Sequence, residues 1–186
     1  MQNNIAKILE NNPLIPVVTL DHEDQVDRLY EKLSGRGIKC VEITLRTEFA
    51  WDGIALFQKR YGKEFKVGVG TVISPIQISK AIELDVDFLV SPGLTTSMIP
   101  LLENSNIPFI VGVSTPSEIM RAMELGWNYL KFFPADIFGG VESIKSFGAI
   151  FSSIKFCPTG GIDESNFKEY LELQNVISVG GSWLGK

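Results

Sequence analysis

Hydrophobic residues in this chain fall into short blocks of two alternating periods. Runs rich in β-branched and aromatic residues at 14–20, 39–45, 65–71, 87–90, 108–113, 129–133, 154–159 and 176–180 predict eight strands. Between them, apolar residues recur at helical spacing over 48–61, 75–84, 97–104, 116–125, 141–147 and 164–173, several opened by Ser, Thr or Asp. Another helix follows Asp21, carries Val26, Leu29, Tyr30 and Leu33, and closes at Gly35 and Gly37. Residues 1–12, with Ile5, Ile8 and Leu9, predict a short amphipathic helix.

Four strands begin near Phe65, Asp87, Pro108 and Tyr129. That spacing of about 21 residues is close to the least a strand, a helix and two loops can occupy. So regular a period predicts an α/β fold of the (β/α)8 TIM-barrel type, a single domain over residues 1–186, with active groups at the C-terminal ends of the strands. An open doubly wound sheet is the alternative, but no Gly-x-Gly-x-x-Gly follows the first strand. Because the chain stops at Lys186 just after the eighth strand, the barrel is expected to be short, with an N-terminal helix and its last helix missing or truncated.

Composition adds exclusions. With 45% hydrophobic and 21% charged residues among 186, the chain can bury a sizeable core. A net charge of −5 argues against nucleic acid as a partner, yet leaves room for a small anion held by local donors. No apolar stretch is long enough to cross a membrane, and the N-terminus lacks a signal-type apolar block, so a cytoplasmic protein is expected. Cys40 and Cys157 lie in strand-like runs without CxxC spacing and read as reduced core residues. His22 is the only histidine, which excludes a histidine triad or multi-histidine metal site, and Asp136 and Glu118 lack ligand spacing. Neither a metal nor a cofactor is expected.

The chemistry gathers at 129–135, where Lys131 sits inside an aromatic strand ended by Pro134. Desolvation disfavours an ammonium and frees the amine to attack a carbonyl carbon. An edge-strand lysine in solvent is the ordinary alternative. Parity decides which side chains reach a barrel interior. Val41, Ile43 and Leu45 suit the helix layer, leaving Glu42, Thr44 and Arg46 inward; Leu130 and Phe132 likewise leave Lys131 and Phe133 inward. An amine for an imine, a carboxylate for proton transfer and a guanidinium for a substrate carboxylate are the parts of a class I aldolase. A structural Glu–Lys or Glu–Arg pair would also satisfy the pattern. Thr159-Gly160-Gly161 after strand seven and Gly180-Gly181-Ser182 after strand eight lie where barrels bind phosphate through backbone N–H groups. Gly68 and Gly70 either pack strand three closely or thin its wall toward Thr71, and Ser91-Pro92-Gly93 reads first as a turn.

In chain order, Val41-Glu42-Ile43-Thr44-Leu45-Arg46-Thr47, Val69-Gly70-Thr71-Val72, Ser91-Pro92-Gly93, Lys131-Phe132-Phe133-Pro134-Ala135, Cys157-Pro158-Thr159-Gly160-Gly161-Ile162 and Gly180-Gly181-Ser182-Trp183 resemble the 2-keto-3-deoxy-6-phosphogluconate (KDPG) and 4-hydroxy-2-oxoglutarate (KHG) aldolase family. The resemblance runs from about Leu14 to the end. It implies that Lys131 forms the Schiff base and Glu42 is the acid/base. It also implies that Arg46, Thr71, Pro92 and Phe133 surround the pyruvate half, and that the two glycine segments hold the phosphate of a small phosphorylated keto acid. Thr159 leans toward the phosphogluconate type rather than the phosphogalactonate type. Members are commonly homotrimers and continue into a final helix. The alternatives are a phosphogalactonate-type enzyme, a metal-dependent aldolase and a non-catalytic barrel that binds phosphosugars.

Overall fold

The computed structural model describes residues 2–186; Met1, in the expected first helix, lies outside the described residues. The two apolar periods separate into an inner ring of parallel strands and an outer layer of helices. The strands are β1 (Leu14–Val18), β2 (Cys40–Thr44), β3 (Lys66–Gly70), β4 (Phe88–Ser91), β5 (Phe109–Val113), β6 (Tyr129–Phe132), β7 (Lys155–Pro158) and β8 (Val179–Gly181). The helices are α1 (Gln2–Asn11), α2 (Asp24–Gly35), α3 (Ala50–Tyr61), α4 (Pro75–Glu83), α5 (Ile99–Asn104), α6 (Pro116–Glu124), α7 (Gly140–Ile150) and α8 (Phe167–Leu171). Sheet order runs β7-β6-β5-β4-β3-β2-β1-β8, and bridges Phe156–Val176 and Thr159–Gly180 join the two ends into a barrel.

Parity sorts the core. Val41, Ile43, Val67, Val69, Leu130 and Phe132 pack outward in one cluster with helix residues such as Leu29, Phe57 and Ile144. Ile15, Cys40, Phe88, Val90, Ile110 and Cys157 form a second cluster inside the barrel, joined by Ile5 and Leu9 of α1. The amphipathic N-terminal helix is therefore the plug of one barrel end, a role its sequence period did not reveal. Both cysteines are buried and unpaired. Burial pushes the Cys157 thiol up to about 11, against the pull of Ser178 and Lys131; burial raises Cys40 further still.

Capping explains which helix boundaries match the sequence pattern. Ser74 and Thr115 each form a capping box, with Gln77 and Glu118 reaching back, so α4 and α6 start where the sequence indicates. After α2, Gly37 adopts φ 70° and its N–H donates to Ser34 O. α8 is shorter than expected because the Asp163 carboxylate accepts from the Ser165 N–H and hydroxyl while Asn166 Oδ1 accepts from the Asp163 N–H. That local turn occupies the backbone the first helical turn would need. β8 begins at Val179 rather than 176, and Ser182–Leu184 follows it as a 3₁₀ turn, with no α-helix beyond it among the described residues.

Candidate active site

β2 and β6 deliver the two ionisable groups of the barrel interior. Glu42 pairs in register with Val17 and Gly68, and Lys131 with Gly112 and Cys157. Both side chains point inward, as parity requires, and Lys131 Nζ lies 3.4 Å from Glu42 Oε1. They are 4% and 3% exposed. A structural buried ion pair needs its remaining protons and lone pairs satisfied. Here the long contact to Glu42 is the only hydrogen bond either side chain makes among the described residues. The lysine's other neighbour is the Phe133 ring, whose centroid lies 5.1 Å from Nζ. Two buried ionisable groups with unused hydrogen-bonding capacity leave room for a further partner, which a closed strut would not.

Three inward glycines shape the space around them. A Cβ on Gly70 would overlap Oε1, Cγ and Cδ of Glu42, so the bare backbone of β3 makes the volume the carboxylate occupies. One step lower, Gly68 makes room for the Phe88 ring. On β5, a Cβ on Gly112 would overlap the Pro92 carbonyl, so the turn after β4 folds across the strand next to Lys131. That turn is held by the Ser91 hydroxyl, which donates to Gly93 O at 2.5 Å. The chain at 91–93 is thus a turn and also borders the site. Of the two readings left open for the β3 glycines, the contacts with Phe88 and Glu42 match close packing of the strand.

Thr71, immediately after β3, holds φ 62°. A β-branched residue in the left-handed region is strained, and its half-buried hydroxyl has no hydrogen-bond partner among the described residues. Arg46 differs from the parity expectation. β2 ends at Thr44, so Arg46 lies exposed in the following loop, and its guanidinium makes no ion pair among the described residues. Strand parity stops applying two residues before it. Phe133 likewise follows β6 rather than belonging to it, and precedes a cis peptide bond to Pro134.

The glycine segments after β7 and β8 meet at the barrel seam. Thr159 pairs with Gly180, and a Cβ there would press on the Thr159 hydroxyl. Gly160 and Gly161 adopt φ 100° and 68°, and neither N–H has an acceptor among the described residues. A Cβ on Gly161 would overlap the Asp136 carboxylate, and one on Gly181 the Trp183 ring. Ser182 opens the 3₁₀ turn, with its side chain exposed. Successive free N–H groups at such a turn suit an anion. His22 and Glu118 stand outside this constellation, while Asp136 packs against Gly161. His22 is an exposed loop residue, Glu118 closes the α6 capping box, and Asp136 accepts from the Ile137 N–H.

Sequence reasoning missed two features here. One is the steric pairing of Gly70 with Glu42, detectable as an inward-parity glycine on the strand beside an inward acid. The other is a hydroxyl pair, Thr19 and Thr44, 2.8 Å apart at the mouth.

Known proteins match this chain in sequence and fold. The family model for KDPG and KHG aldolase covers residues 5–186. The KHG/KDPG aldolase of Escherichia coli is 40% identical over 183 residues, spanning 98% of this chain and 85% of that protein. The 2-dehydro-3-deoxy-phosphogluconate aldolase of Dickeya dadantii is 38% identical over the same length and the same shares. Among solved structures, KDPG aldolase from Legionella pneumophila, with pyruvate captured as a covalent carbinolamine intermediate, superposes with a TM-score of 0.92 at 39% identity, covering 96% of this chain and 86% of that one. The Zymomonas mobilis KDPG aldolase with 3-phosphoglycerate gives 0.93 at 32% identity, covering 98% and 87%. On the strength of that full-length match, joined to a barrel whose interior carries the lysine and the glutamate, this chain belongs to the KDPG and KHG aldolase family.

Proposed function

We propose that the protein is a class I aldolase that cleaves KDPG to pyruvate and glyceraldehyde 3-phosphate through an imine on Lys131, with KHG as a second substrate. The observation that carries the reading is the buried, under-partnered contact between Lys131 and Glu42. In its neutral form Lys131 attacks the C2 keto carbon. Glu42 relays protons as the carbinolamine loses water, and the iminium becomes the electron sink. Glu42, acting through a water, then takes the C4 hydroxyl proton as the C3–C4 bond breaks. The aldehyde leaves; the enamine is protonated at C3, and hydrolysis releases pyruvate and the free lysine.

The remaining roles follow the same geometry. The guanidinium of Arg46 and the hydroxyl of Thr71, both without a side-chain partner among the described residues, suit the substrate carboxylate, with Pro92 and Phe133 bordering the pyruvate half. The N–H groups of Gly160 and Gly161, without an acceptor among the described residues and beside Thr159, Gly180, Gly181 and Ser182, suit the phosphate. Thr159, together with a KDPG aldolase of solved structure at 39% identity against the 25% of a KDPGal structure, favours the phosphogluconate type. We assign the protein to the cytoplasm and to a homotrimer. Support for assembly comes from exposed Ile73 and Ile76 at the start of α4. Light scattering should return roughly three times the 20.6 kDa of one chain.

The decisive experiment is incubation with pyruvate and borohydride. A permanent adduct on the peptide carrying Lys131, absent from Lys131→Met, is the expected result; an unmodified lysine would remove the imine from the mechanism.

A further inference from the structure

Two threonine hydroxyls meet at the barrel mouth between β1 and β2. Thr44 is fully buried, and its Oγ1 lies 3.1 Å from Val18 O and 2.8 Å from Thr19 Oγ1. It stands one inward step above Glu42 on β2. In the arrangement that satisfies both contacts, Thr44 donates its one hydroxyl proton to Val18 O, since a carbonyl cannot donate. The contact between the hydroxyls is then made by the Thr19 proton. Thr19 is left as an acceptor with no proton to offer. It is half-buried and follows β1 on the parity of Ile15, which packs inside the barrel.

β1 lies between β8 and β2 in the barrel. In the proposed aldolase reading, on which this inference rests, the substrate's C2 is fixed to Lys131, its C4 hydroxyl meets Glu42 of β2, and its phosphate lies at the loops after β7 and β8. The carbon between C4 and the phosphate-bearing C6 must then pass β1, where Thr19 faces it. KDPG carries a hydroxyl on C5, which can donate to Thr19. KHG ends in a carboxylate at C5, which has no proton to give and sets lone pairs against lone pairs.

We infer that Thr19 is a specificity-determining residue, whose acceptor-only hydroxyl recognises the C5 hydroxyl of the phosphorylated sugar acid and disfavours the C5 carboxylate of KHG. The proton order set by Thr44 and the Val18 carbonyl makes this selection directional.

The test compares wild type, Thr19→Val and Thr19→Ser on KDPG, on its 5-deoxy analogue and on KHG, with the pyruvate–borohydride adduct as a separate readout. Removing an acceptor from a hydroxyl-reading site should lower kcat/KM for KDPG in Thr19→Val about tenfold, largely through KM. KHG turnover should be unchanged or improved, and Thr19→Ser should restore the wild-type ratio. Wild type should lose a similar factor on the 5-deoxy analogue, while Thr19→Val should scarcely distinguish it from KDPG. Adduct formation should be equal in all three proteins. Equal losses on KDPG and KHG, or a wild type indifferent to the 5-hydroxyl, would overturn the assignment. A wild type that forms no adduct would instead remove the aldolase reading beneath it.

Discussion

Gly70 and Glu42 occupy complementary halves of one volume: a Cβ on the glycine would coincide with the carboxylate of the acid. Gly70→Ala therefore forces Glu42 away from Lys131 without touching either residue's chemistry. Misplacement of a catalytic group by about 1 Å costs roughly 100-fold, so kcat should fall by that order while circular dichroism stays native. Gly68→Ala, which meets the Phe88 ring instead, should lower the melting temperature with a smaller effect on turnover, since overpacking costs about 1–3 kcal/mol. Equal kinetic losses in the two variants would contradict this.

Lys131 and Glu42 have no hydrogen-bonding side-chain partners but each other among the described residues. Lys131→Met strands a buried carboxylate, which should destabilise the fold by about 3–5 kcal/mol. Adding Glu42→Gln to that variant should recover most of the loss in a urea titration. Strict additivity of the two substitutions would show that the pair is not coupled.

Burial holds the Cys157 thiol at about 11, above the ordinary 9.0. The unfolded chain therefore gives up this proton first as pH rises, and stability should decline between about pH 9 and 11. By linkage the loss is roughly 2–3 kcal/mol. Comparing denaturant midpoints of wild type and Cys157→Ala across that window should show a shallower decline in the variant. Ellman's reagent should also find both thiols inert until the chain unfolds.

Arg46, exposed after β2 and without an acidic partner among the described residues, is proposed to grip the substrate carboxylate by two parallel hydrogen bonds. Lysine keeps the charge and loses the fork, so Arg46→Lys should raise the pyruvate concentration needed for half-maximal trapping about tenfold. Unaltered trapping would assign the carboxylate to Thr71 and the backbone instead.

Much of the fold was legible because a barrel repeats one short unit: strand runs, helix faces and the spacing of Phe65, Asp87, Pro108 and Tyr129 all carry the same period. Parity placed Glu42, Thr44 and Lys131 inside because the side-chain period of a strand is two wherever the strand persists. It failed at Arg46, where the strand had already ended and a loop sets direction. The glycines of β3 were ambiguous because an absent side chain has no pattern of its own; only the neighbour filling the space tells why it is absent. The Thr19–Thr44 bond joins residues 25 apart and depends on register, which no local period encodes.

Ile5 and Leu9 of α1 close the end of the barrel opposite the strand tops. With that end filled, keto acid, aldehyde and the hydrolytic water of the proposed reaction are expected to pass by the strand tops. In the proposed reaction the fragment nearer the strand tops, the phosphorylated aldehyde, departs before the lysine-bound fragment beneath it can be released. Order of product release is then imposed by the covalent bond to the lysine, and pyruvate should act as the competitive product inhibitor.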